Sequence, residues 1–302
     1  MSGENPVVFE NLNLIEAVTL AKERGIILVP VATTEGHGNH LPLKTDTMIA
    51  EYLGEELSKA TGIPALLPTP LRLGCSPTFH WDINGDPITG TLAISHATMH
   101  AVVKDLCRGL WACGFRKVVF VQTHGQEWNM QTIVHEVCTE LRRENKKLWI
   151  AGATYWELCR QKIEDKVSAP FWHAGEWETS AALSIDRSLV HKERIEGKVR
   201  TPLIDKKLIK RSVCMDESEA FAVQDVASWV NIPLPGELHE FGVGSTEAIQ
   251  SASAEKGGEV LAHALEKYLA LLRDLETYYA PDEVPGVDIL QRPEKPRFHV
   301  DY

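Results

Sequence analysis

Short apolar runs alternate along this chain with longer stretches of helical period, and that alternation sets the expectation for the fold. Gly25-Ile-Ile-Leu-Val-Pro-Val31 reads as a buried strand, with Pro30 removing one ladder hydrogen bond. Ile63 to Leu67 reads as a weaker strand, Lys117 to Val121 as the clearest, and Lys147 to Ala151 as the next. Helical patterns fill the intervals: Leu12 to Arg24, Thr47 to Ala60, Ala93 to Cys113, Met130 to Arg143 and Thr179 to Ser188. One long last helix is predicted from about Thr246 to Thr277. Strands separated by helices predict an α/β fold, with βαβ units around a parallel sheet covered on both faces. Residues 191–244 carry many charges and few clear periods, which predicts loops and short strands. From Tyr279 onward prolines (281, 285, 293, 296) are interspersed with acidic residues. Residues 1–278 are therefore expected as a single domain and 279–302 as an extended tail.

Composition narrows the partners. With 31 Lys and Arg against 42 Asp and Glu, the net charge of -11 argues against nucleic acid and against an anionic membrane surface. No stretch approaches the ~20 apolar residues of a membrane span, and Met1 to Glu10 lacks the basic and apolar zones of a signal peptide. Six cysteines (75, 107, 113, 138, 159 and 214) are scattered without a Cys-x-x-Cys pair, as expected of buried thiols in a reducing compartment. A cytoplasmic protein acting on a small molecule fits these features.

Three segments concentrate chemistry. Thr34-Glu-Gly-His-Gly-Asn-His-Leu-Pro-Leu-Lys-Thr-Asp46 begins where the first strand ends, at the edge where open α/β sheets place their ligands. Glu35 and His37 are two apart, so an extended backbone points both the same way. Gly36 and Gly38 permit a sharp turn. Asp46 falls at the start of a helix, where a carboxylate is favoured; it either caps that helix or bridges two cations. Carboxylate with imidazole is a ligand set for zinc, manganese or iron. Val121-Gln-Thr-His-Gly-Gln-Glu-Trp-Asn129 brings His124 and Glu127 to the same edge. Phe171-Trp-His-Ala-Gly-Glu-Trp-Glu-Thr-Ser180 enters a helix. There Glu176 and Glu178 either satisfy first-turn N–H groups or supply a metal ligand in Glu178, with His173 as proton shuttle and Trp172 and Trp177 as pocket walls.

These segments together resemble the creatininase family, whose members carry Glu-x-His-Gly-x-His-Leu-Pro-x-x-Thr-Asp, a His-Gly turn and His-Ala-Gly-x-x-Glu-Thr-Ser. Gly74-Cys-Ser76 through His80 to Thr91 is similar to the family's substrate loop, and the likeness runs in order from about residue 10 to 270. It implies a three-layer α/β/α sandwich, a homo-oligomer and two divalent metal ions (Zn, Mn or Fe) per chain. Carried over by position, Glu35 and His124 hold one ion, His37 the other, Asp46 bridges them, and Glu178 completes the second site, with Glu127 as the alternative to Glu178. His173 is the implied acid/base; Ser76 and His80, with Trp172 and Trp177, are expected at the substrate. Gly36 and Asn39 stand where the family usually has Gln and Pro, which argues against creatinine itself.

A metal pair about 3.5–4 Å apart would activate a bridging hydroxide for attack on a carbonyl carbon. The expected reaction is amide C–N hydrolysis of a small cyclic substrate. The alternatives are ring-opening C–C hydrolysis of a cyclic keto-inositol, and a non-catalytic metal-binding protein of the same fold. A nucleotide-binding protein is disfavoured, because no Gly-x-Gly-x-x-Gly or P-loop run follows a strand. None of the expected ligands is cysteine, which favours an open catalytic site over a closed structural one.

Overall fold

The computed structural model describes residues 5–75, 90–125, 127–144, 148–168, 173–195 and 246–278. Ser76, His80 and Trp172, all but the first five residues of the 191–244 stretch expected as loops and short strands, and the tail at 279–302 lie outside the described residues.

β1 (Ile26–Val31), β2 (Lys117–Gln122) and β3 (Trp149–Thr154) form a parallel sheet in the order β1-β2-β3. Ile26 stands opposite Lys117, and Lys117 opposite Trp149. Side chains alternate across the sheet, so each strand feeds two cores. Ile26, Leu28, Val119 and Val121 join one cluster; Ile27, Val29, Val31, Val118 and Phe120 join the other. The first is closed by α2 (Thr45–Thr61), α7 (Glu176–Ile185) and the long last helix, the second by α1 (Leu14–Arg24), α3 (His96–Cys113) and α4 (Glu127–Arg143). Helices on both faces of a parallel sheet make the three-layer α/β/α arrangement the sequence predicts. Two short helices not expected from the sequence, α5 (Tyr155–Leu158) and α6 (Arg160–Lys166), follow β3.

Local chemistry explains the boundaries. Asn13 and Glu16 form a capping box at the start of α1, and Gly25, Gly62 and Gly114 end α1, α2 and α3 in the left-handed conformation. The expected strand at 63–67 is not a strand. Ala65 makes isolated parallel bridges to Val8 and Leu28, because Pro64 has no N–H to offer and Pro68 and Pro70 follow closely. Pro30 is tolerated within β1, and its carbonyl accepts from the Thr69 hydroxyl. The expected single last helix is two, α8 (Thr246–Gln250) and α9 (Ala254–Tyr278). At the break, Ser253 takes the capping role: its hydroxyl accepts from Lys256 N (3.2 Å), while its own N–H donates to Ser180 Oγ (3.2 Å). α9 then lies tightly on α7, where a Cβ on Gly257 would fall 2.0 Å from the Ser180 carbonyl oxygen. Among the described residues no helix is long and apolar enough to cross a membrane.

Candidate functional site

The carboxyl ends of β1 and β2 carry the chemistry, as the sheet topology requires. Beyond β1 the chain stays extended: Ala32 N donates to Leu71 O (2.9 Å) and Thr34 N to Arg72 O (2.8 Å). Glu35 N donates to Leu43 O (2.9 Å), closing a loop whose turn passes through Gly38 at φ 68°. Within that loop His37 Nδ1 sits 3.1 Å from Glu35 O, which leaves Nε2 facing inward. α2 starts two residues earlier than the sequence predicts, so Asp46 lies inside its first turn instead of capping it. The Thr123 hydroxyl donates to the Asp46 carbonyl (2.8 Å) and the Thr47 hydroxyl to Thr33 O (3.1 Å), tying α2 to both strand ends. His124 follows β2, and Gly74 packs so closely that a Cβ there would stand 3.1 Å from the imidazole.

α7 supplies the other wall. It begins three residues earlier than predicted and puts Glu176 and Glu178 in its first turn. Glu178 Oε2 accepts from the Ala174 amide. Ala174 holds φ 52°, a conformation costly for a residue with a Cβ and sustained here by its surroundings. Glu176 turns the other way: it accepts from both N and Oγ of Ser168 (2.6 Å each) and from Lys256 Nζ (2.5 Å). That network ties Ser168 and Lys256 to the first turn of α7 and leaves Glu176 outside the cluster.

Five expected ligands converge. His124 Nδ1 lies 3.1 Å from Glu35 Oε2 and 3.1 Å from Asp46 Oδ2. His37 Nε2 lies 3.6 Å from Asp46 Oδ1 and 3.9 Å from Glu178 Oε2. Asp46 thus turns one oxygen to each imidazole. Two compact triads share it, Glu35–Asp46–His124 and His37–Asp46–Glu178, and a third joins Glu35 and His37 to His173. All of Glu35, His37, Asp46, His124 and Glu178 are buried. Yet Glu35 Oε2, His37 Nε2 and Asp46 Oδ2 make no hydrogen bond among the described residues. Buried donors and acceptors are rarely left this way, and inward-facing orphan atoms of this type fit a bound cation.

The electrostatics are those of tightly packed opposite charges. Burial raises the Glu35 carboxyl, but His124, His173 and His37 outweigh it and hold its pKa at about 2. Asp46 is held low against burial by His37 and His124. Burial pulls His37 down, yet Asp46, Glu178 and Glu35 lift it to about 10, and His124 is raised likewise against burial by Glu35 and Asp46. Burial dominates at Glu178, pushing it up to about 7. His173, half-buried, is lowered by burial and by His37. Its Nε2 lies 2.8 Å from the Gly36 carbonyl, an acceptor, so the neutral ring carries its proton there and leaves Nδ1 bare.

Sequence reading places these residues at one edge, and the structure gathers them. Trp177 is buried in the first core, its ring 5.0 Å from that of Tyr155. Glu127 starts α4. Sequence reading missed His40, which is buried with Nε2 3.0 Å from the Thr179 hydroxyl and held near pKa 4 by burial and by His37. It also missed Thr123 and Tyr155; for Tyr155 the available signal was its place directly after a strand.

A dense carboxylate–imidazole cluster at the carboxyl edge of a parallel sheet makes this an α/β protein with a candidate metal centre, and comparison names the family. The family model described as creatininase, creatinine amidohydrolase, matches residues 10–272. The chain belongs to the creatininase family of hydrolases. It is 24% identical over 308 aligned positions to the 3-dehydro-scyllo-inosose hydrolase of Thermotoga maritima, covering 98% of this chain and 92% of that protein. A mycofactocin precursor peptide peptidase of Mycobacterium ulcerans is 31% identical over 183 positions, 59% of this chain and 66% of its own length. Among solved structures, a mutant creatininase of Zn-Zn type superposes with a TM-score of 0.69 at 20% identity, covering 89% of this chain and 98% of that one.

Proposed function

We propose that the chain is a dinuclear-metal hydrolase acting at the carbonyl carbon of a small cyclic substrate. The observation that carries this reading is the pair of buried triads that share Asp46, with their inward atoms left without hydrogen bonds. Glu35 and His124 would hold one divalent ion and His37 and Glu178 the other, with Asp46 common to both. Oxygen and imidazole donors without sulfur suit zinc, manganese or iron. Such ions supply Lewis acidity and bring the pKa of a bound water towards neutrality.

The protein's own groups do the rest. His173 is kept neutral by burial, and its Nε2 hydrogen bond to Gly36 fixes the tautomer. The bare Nδ1 accepts a proton from attacking water and returns it to the leaving group, an acid/base contribution of roughly 10²–10⁴-fold. Ser168 and Lys256, on either side of His173 in the chain, are both hydrogen-bonded to Glu176. Burial of the cluster excludes bulk water and strengthens each charge interaction within it.

Amide C–N hydrolysis of the creatininase type is the first reading of the substrate. The second, ring-opening C–C hydrolysis of a cyclic keto-inositol, is favoured by the Thermotoga relative, whose likeness spans nearly the whole chain. Both reactions pass through an oxyanion on an attacked carbonyl, which the same residues serve. Turnover of cyclic amides and cyclic polyol ketones, assayed side by side on protein with defined metal loading, separates them. Inactivity against both classes would count against a small cyclic carbonyl substrate.

A further inference from the structure

Two tyrosines are fully buried in the first core, Tyr155 and Tyr268. The Tyr268 hydroxyl donates to the Ala153 carbonyl of β3. The Tyr155 hydroxyl, two residues further along the chain, has no hydrogen-bond partner among the described residues. Leaving a buried hydroxyl unpaired is costly, and Phe would fill the same space without that cost. An orphaned phenol in a packed core therefore calls for a nearby acceptor.

The surroundings indicate which one. Tyr155 follows directly on Thr154, the last residue of β3, at the sheet edge that also delivers Glu35 and His124. Its ring packs on Trp177, the residue before Glu178 on α7. Burial first, and the Glu178 and Asp46 carboxyl groups after it, raise the phenol well above its ordinary range. The phenol therefore stays a donor, on a ring that packs against the helix carrying Glu178. Glu178 Oε2 is engaged by the Ala174 amide, but a carboxylate offers about four acceptor positions on its two oxygens. A phenol proton swings about the C–O bond without moving the ring, so it can follow a carboxylate that turns.

We propose that Tyr155 is a positioning residue for the His37–Asp46–Glu178 triad: its hydroxyl donates to Glu178 when that carboxylate turns to hold a cation. This rests on the metal-centre reading above. Hydrogen bonds to the outer side of a metal ligand fix its orientation, and losing one typically weakens metal affinity about 10–100-fold. The contrast with Tyr268 follows from pairing alone. Tyr268 is satisfied without metal and serves the fold; Tyr155 is satisfied only in the loaded site.

The test uses Zn²⁺ and Mn²⁺ titrations by calorimetry, with elemental analysis, on the full chain, together with thermal melts of the metal-free protein. Wild type binds two ions. Tyr155→Phe binds one as before and the other about 10–100-fold more weakly, while its metal-free melting temperature stays level or rises. Tyr268→Phe lowers that temperature by about 2–4 °C and leaves both affinities unchanged. In a Glu178→Gln background, Tyr155→Phe causes no further loss of affinity, because the two groups act as one unit. The inference is overturned if Tyr155→Phe binds both ions normally, or if it lowers the metal-free melting temperature as Tyr268→Phe does. An equal, independent loss in the Glu178→Gln background overturns it as well. A wild-type chain that binds no ions defeats the metal-centre reading itself, which is a distinct outcome.

Discussion

Two clusters of histidine and carboxylate stand on this molecule, and their difference shows what separates a site from a polar surface. One is the buried group at the sheet edge. The other lies between α3 and α4, where His96, His100, His135, Glu136, Thr139, Glu140 and Arg143 line a shallow cleft of about 530 Å³. Residue types are nearly the same in both. On the surface His100 Nε2 stands 3.5 Å from Glu140 and 3.9 Å from Glu136, Glu140 also pairs with Lys104, and Arg108 pairs with Glu144. Each of these acids has a basic side chain within 3.9 Å, and all of them remain open to water. In the buried cluster two imidazoles must serve three carboxylates, and three inward atoms are left without a hydrogen bond. Burial of incompletely paired donors, more than residue type, marks the place where a cation would be held.

The contrast is broken most severely at Asp46. Asp46→Asn keeps the shape and removes the charge shared by both triads, so turnover of whichever cyclic substrate proves active falls by about 10³-fold or more. Steady-state kinetics on metal-supplemented protein checks this; a loss under tenfold would deny Asp46 its central place. Next comes His173→Ala, expected to retain its metal by elemental analysis while kcat drops about 10²–10⁴-fold. Full activity would remove His173 from the chemistry.

A smaller effect follows from pH. His37 is raised to about 10, and His124 is raised as well, so in the metal-free protein both are protonated at neutral pH. A raised folded-state pKa contributes stability that is complete below the unfolded value of about 6.5 and is lost as pH climbs towards 10. Cations require the neutral rings, so the two trends oppose each other. Thermal melts of metal-free protein should decline from pH 6.5 to 10, while metal affinity rises by up to about tenfold per pH unit for each proton displaced. Calorimetry in buffers of different ionisation enthalpy reads the released protons directly, and absence of proton release would contradict the assigned charge states. Smallest of all, His100→Ala and Glu140→Gln should leave turnover, metal content and melting temperature at wild-type values.

Much of the architecture was legible because the strands and helices differ in period. The Lys117–Val121 run is uniformly apolar after its first residue and became β2 almost unchanged. The motif residues were legible too, because Glu35, His37 and His124 lie a short way past strands whose shared edge is fixed by parallel pairing. What escaped depends on tertiary partners. The bridge at Ala65 needed knowledge of where prolines deny the ladder, and the break at Ser251–Ser253 needed the Ser180 hydroxyl from another helix. Likewise the place of Tyr155 directly after a strand sets it apart from Tyr268 in the sequence, but only the packed core shows that one hydroxyl has an acceptor and the other does not.

The central claim is that two cations share Asp46. Crystals grown with manganese, examined by anomalous scattering, would test it most directly. The account predicts two peaks per chain, one bounded by Glu35 and His124 and the other by His37 and Glu178, both in contact with Asp46. A single peak, or peaks that leave the Asp46 carboxylate untouched, would contradict it.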